Sequence, residues 1–77
     1  MSEKPDLKNL RASLAISQYK LAESAKISVP ALVDIEKKRS KPHLKTAYSI
    51  IDVLNAELKA KGREEITISD IDWEVGG

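Results

Sequence analysis

Apolar residues recur at helical spacing through most of this chain. Leu7, Leu10 and Leu14 stand at i, i+3 and i+7, and Asp6 ahead of them can serve as an N-cap, which predicts a first helix from Leu7 to about Leu14. Two shorter helices are predicted over about 18–25 and 29–37. Ser17 and Ser28 stand where a hydroxyl can accept a hydrogen bond from an otherwise unpaired amide of the first turn. Pro30 suits a helix start, because the N–H it lacks has no intrahelical partner there. Leu21, Ala22 and Ala25 fall on one face, Leu32 and Ile35 on another, and Ile27 is placed between them as a plug. A fourth helix is expected from near His43. Its inner stripe runs through Leu44, Ala47, Tyr48, Ile51, Leu54 and Leu58, with a break near Asn55 and Gly62 as C-cap. After that the period changes. Ile66 and Ile68, then Ile71, Trp73 and Val75, alternate with polar residues, which predicts strand or extended chain.

Seventy-seven residues allow one small all-α domain with a short extended C-terminal tail. Its divisions are a polar N-terminus over 1–5, expected to fray, a helical domain over 6–62 and a tail over 63–77. The absence of cysteine excludes disulfides and thiolate zinc and favours a cytoplasmic protein. No apolar run reaches membrane-spanning length, and the charged start, Met-Ser-Glu-Lys-Pro-Asp, has no apolar stretch behind it, so neither a membrane nor a signal peptide is expected.

The net charge of +1 conceals an asymmetry. All 13 Lys and Arg lie within residues 1–63 beside seven acids, whereas residues 64–77 hold the other five acids, Glu64, Glu65, Asp70, Asp72 and Glu74, and no cation. Four cations fall within the six residues Lys37-Lys38-Arg39-Ser40-Lys41-Pro42, a loop closed by proline. A basic body of this kind can be drawn to an anionic polymer, with the tail facing away from it or meeting a partner.

Enzyme chemistry has little to stand on. The lone histidine, His43, suits a cap or a surface position, and no paired-ligand motif or phosphate-cradling glycine loop is present, so no catalytic residue, metal or cofactor is expected.

Two short capped helices joined by a tight turn are the arithmetic of a helix-turn-helix. With the flanking segments, residues Leu7 to about Leu54 resemble the phage-repressor type of that motif, the lambda-repressor-like or XRE family of transcriptional regulators. The resemblance rests on Leu10-Arg11, Ser17-Gln18, Leu21-Ala22, Ile27-Ser28, Leu32 and Ile35-Glu36, then the basic loop to Pro42 and an apolar fourth helix. It implies a compact four- to five-helix domain that binds double-stranded DNA as a homodimer and acts as a transcriptional regulator, read here as a repressor. Gln18 would contact a phosphate at the positive end of the second helix. Ser28, Val29, Pro30, Ala31 and Asp34 would lie at the base-facing positions of the third helix in the major groove. Lys37, Lys38, Arg39 and Lys41 would grip the backbone, and Arg11 with Glu36 would form an internal ion pair.

Departures from the pattern set a second reading beside the first. Lys26 stands where the family usually has glycine, and Ala15 where it often does. Val29, Pro30 and Ala31 can touch a thymine methyl but cannot make bidentate hydrogen bonds, while Asp34 can accept from a cytosine amine yet repels phosphate. The alternative is therefore a protein-interaction module of the same fold, antitoxin-like or anti-repressor, with weak or partner-dependent DNA binding. Ile71 and Trp73 are open to two roles, capping the domain's own core or making a dimer or partner contact.

Overall fold

The computed structural model describes residues 3–76. Four helices follow in order, α1 (Leu7–Ser13), α2 (Gln18–Ala25), α3 (Val29–Glu36) and α4 (Leu44–Ala60), and a single 3₁₀ turn, Ile68–Asp70, interrupts the tail. Each of the three short helices starts on a side-chain cap. Asp6 accepts from the Asn9 amide at 2.7 Å, Ser17 from Lys20 at 3.0 Å and Ser28 from Ala31 at 3.2 Å. His43 begins α4 without a side-chain cap bond, and Pro42 beside it is buried.

All four helices stop in the same way. At the end of α2 the Ile27 amide reaches the Ala22 carbonyl at 3.0 Å and the Lys26 amide reaches Glu23 at 3.2 Å, the paired bonds of a Schellman motif, with Lys26 at φ +62°. The same pairing closes α1 at Ala15, α3 at Lys38 and α4 at Gly62, all at positive φ. Only the last has glycine. The other three side chains are held in a left-handed conformation in which Cβ crowds the following carbonyl.

Leu7, Leu10, Leu14, Ile16, Leu21, Leu32, Ile35, Ile50, Ile51, Leu54 and Leu58 pack into one core, and Ile27 lies half-buried against it. The helix α2 is central, packing on both α3 and α4. Two expectations for α4 are corrected. Leu44 and Tyr48 are exposed, at 44% and 55%, because the buried stripe is centred on Ala47, Ile50, Leu54 and Leu58. The helix also runs unbroken through Asn55, whose side chain faces the tail: its amide donates to the Ile66 carbonyl at 3.0 Å and its oxygen accepts from the Ile66 amide at 2.8 Å.

The tail turns back along the domain. Ile71 is 2% exposed and joins the core, and the half-buried Trp73 donates its indole N–H to the Ile68 carbonyl at 3.0 Å. No strand forms among the described residues. The alternating segment is extended, and its one ladder contact is an isolated parallel bridge between His43 and Gly76. Of the N-terminus expected to fray, residues 1 and 2 lie outside the described residues. Pro5 is tied, its carbonyl accepting the Asp72 amide at 2.8 Å. No helix among the described residues is long and apolar enough to cross a membrane.

The four helix ends make a direct test of backbone strain. Ala15→Gly and Lys26→Gly are each expected to raise stability by about 0.5–1 kcal/mol, the relief of a left-handed Cβ less the entropy glycine adds to the unfolded chain. Gly62→Ala, with no atom near the new Cβ, should lower it by about 1 kcal/mol through backbone strain alone. Urea unfolding of the three variants checks the signs.

Candidate nucleic-acid interface

The first turn of α2 meets the last turn of α3 at a single carboxylate. Glu36, with its side chain 2% exposed, accepts from Arg11 Nε at 2.7 Å and from Gln18 Nε2 at 2.9 Å. Arg11 spends a further N–H on the Ile16 carbonyl at 2.7 Å, so α1, the α1–α2 turn, α2 and α3 converge on one charged knot. Arg11 and Glu36 thus stand in contact, as the resemblance implies. Gln18 is drawn into the same knot and is half-buried at the start of α2, next to the cationic loop that leaves α3.

The candidate reading residues lie at the other end of α3. An eight-residue helix spans about 12 Å, which separates Ser28–Ala31 from the loop by roughly that distance. Ser28, Pro30 and Ala31 are exposed, with the Ser28 hydroxyl accepting the Ala31 amide. Val29 is half-buried and packs against the core, which leaves part of its side chain outward. Asp34 lies 3.9 Å from Arg39, so its charge is partly balanced inside the chain.

The loop itself is not bare. Lys38 Nζ lies 2.9 Å from Asp72 Oδ2 and Lys41 Nζ lies 3.5 Å from Glu74 Oε2. The Gly76 amide donates to the Pro42 carbonyl at 2.9 Å, which fastens the end of the described tail beside the loop. The hydrogen bond to Asp72 holds the Lys38 amine above the ordinary lysine range, so it stays fully charged. Among the described residues Lys37 alone of the four loop cations has no ion pair. The expectation that the tail faces away from the basic body is therefore corrected: it lies against the loop. Ile71 faces the domain's own core, and Trp73 sits half-buried between the two paired acids.

Sequence reasoning missed Asp72 and Glu74. The signal was present, since an i, i+2 pair in extended chain shares one side while Ile71, Trp73 and Val75 share the other. Tyr19 was also missed. It is 65% exposed on the first turn of α2, and its hydroxyl donates to Glu23 at 3.0 Å; the neighbouring carboxylate raises the phenol above its ordinary range.

A family model described as helix-turn-helix matches residues 7–60, which is more than half of the chain. No curated protein and no solved structure gives a significant match.

Removing the shared carboxylate should be costly. Glu36→Ala strands the Arg11 guanidinium, 13% exposed, without its ion partner, and is expected to lower unfolding free energy by about 3–5 kcal/mol. Arg11→Met with Glu36→Leu should cost less than either single truncation. Denaturant titration of the singles and the double decides, and a loss below about 1 kcal/mol for Glu36→Ala would show that the knot does not hold the helices.

Proposed function

The chain belongs to the lambda-repressor-like helix-turn-helix family of DNA-binding regulators, and from that premise we propose that it is a transcriptional repressor that occupies an operator as a homodimer, with α3 in the major groove. The observation that carries the reading is the position of Gln18 and the 37–41 loop on the same side of the domain, around the carboxylate that joins α2 to α3. Gln18 and the first amides of α2 bind one phosphate, aided by the positive end of that helix. Lys37, Lys38, Arg39 and Lys41 bind others.

Sequence readout is narrow in this mechanism. Val29, Pro30 and Ala31 meet thymine methyl groups, Ser28 donates or accepts at one base edge, and Asp34 accepts at another. Discrimination by bidentate hydrogen bonds is missing from α3, so affinity depends mainly on phosphate contacts and their released counterions. Two copies related by a twofold axis would set their third helices about 34 Å apart and read a palindrome. The exposed Leu44 and Tyr48 on the outer face of α4 favour that helix over the tail as the dimer surface, since Ile71 is already spent on the core.

A second reading, a protein-interaction module of the antitoxin-like or anti-repressor kind, is favoured by the same donor-poor α3 and the same exposed apolar pair. It predicts a stoichiometric protein partner and no DNA affinity in the isolated chain.

Selection from a random duplex pool at about 50 mM salt separates the two. Enrichment of a palindrome is expected, with affinity falling on the order of 10²-fold by 200 mM if four phosphates are neutralised. Lys37→Ala and Arg39→Ala should each weaken binding across all sequences and reduce the salt slope by about 1, with folding unchanged. Failure to retain any duplex at 50 mM would favour the protein-interaction reading.

A further inference from the structure

The loop that would grip DNA is already occupied, and its occupant is the chain's own acidic segment. Asp72 and Glu74 carry the same charge that a phosphate would bring, and they meet Lys38 at 2.9 Å and Lys41 at 3.5 Å. With Asp34 near Arg39, three of the four loop cations face an internal acid. The opposite ends of the tail's structure differ in strength. Its backbone is moored by buried Ile71, by the Asn55 clasp on Ile66, by the Asp72 amide on Pro5 and by the Gly76 amide on Pro42. Its carboxylates are loose, with the side chains of both pairs between 53% and 80% exposed and therefore screened by water and salt.

We infer that residues 72–74 form a built-in mask over the phosphate grip: their carboxylates stand in for DNA phosphates at Lys38 and Lys41, and must swing away for the loop to engage the duplex. This rests on the DNA-binding reading above. Because the mooring is made by backbone and core, the mask opens by side-chain rotation at Asp72 and Glu74 without undocking the tail. Salt screens the exposed internal pairs as well as the phosphate contacts, so opening the mask becomes easier as salt rises, and the mask lowers both affinity and its dependence on salt. It also sharpens selectivity for polyanions, since a single phosphate gains little by displacing one carboxylate while a duplex displaces both at once.

The test compares three proteins on one duplex of the selected operator: wild type, Asp72→Asn with Glu74→Gln, and Glu64→Gln with Glu65→Gln. The last pair removes equal charge from tail residues that make no ion pair among those described. Circular dichroism confirms equal folding, which isosteric changes at exposed positions should preserve. The mask predicts that the 72/74 variant binds up to about tenfold tighter near 100 mM salt, with a steeper log–log salt slope, and that the 64/65 variant changes little in either. As a second readout, Trp73, the chain's one tryptophan and flanked by the two acids, should change its emission when wild type binds duplex and change less in the 72/74 variant. Equal affinity and slope in wild type and the 72/74 variant, or equal gains in both variants, overturns the mask while leaving DNA binding intact. If none of the three binds duplex even at 50 mM, the DNA-binding reading fails and takes the mask with it.

Discussion

A buried carboxylate is tolerable only where donors surround it, and Glu36 obtains its donors from two other helices. Arg11 comes from α1 and Gln18 from α2, and Arg11 also fastens the carbonyl of Ile16 in the connecting turn. This single requirement fixes the end of α3 against the start of α2. Hydrophobic burial alone would leave eight-residue helices free to slide by fractions of a turn, because apolar contact is not directional. The ion pair is, and the relative placement of the loop and the third helix follows from it. Gln18 is thereby held in one orientation at the start of α2.

Electrostatics of the surface is organised on the opposite principle. Every ion pair of the loop is solvent-exposed, and none is fixed by more than one contact. The chain separates strong polar contacts, which are buried and define shape, from weak ones, which are exposed and exchangeable. The sequence-level asymmetry of a basic body and an acidic tail is thus resolved within one molecule: the two signs lie against each other, and the near-zero net charge is local as well as global.

Local grammar was well expressed in the residues. The caps at Asp6, Ser17 and Ser28 and the stop at Gly62 are read from residues within four positions of their effect. What failed had longer range. In α4, Leu44 and Tyr48 continue the helical spacing of Ala47, Ile51, Leu54 and Leu58, and only the position of the packed neighbours decides that Ile50 turns inward while those two stay outside. Asn55 looked like a helix breaker because its amide can compete for its own backbone, yet it serves the backbone eleven residues ahead. The partners of Lys38 and Lys41 lie more than thirty residues away, beyond any periodic pattern.

The Asn55 clasp has a consequence for how this protein behaves at high concentration. An extended segment in which isoleucines alternate is prone to recruit a matching strand from a neighbouring molecule, because its unpaired amides and carbonyls invite one. Here the one side chain takes both backbone groups of Ile66, the 3₁₀ turn breaks the register two residues later, and the charged side chains between Ile71 and Val75 oppose stacking of like edges. A carboxamide in the middle of a helix thus removes from the segment's open edge the two backbone groups nearest its first isoleucine.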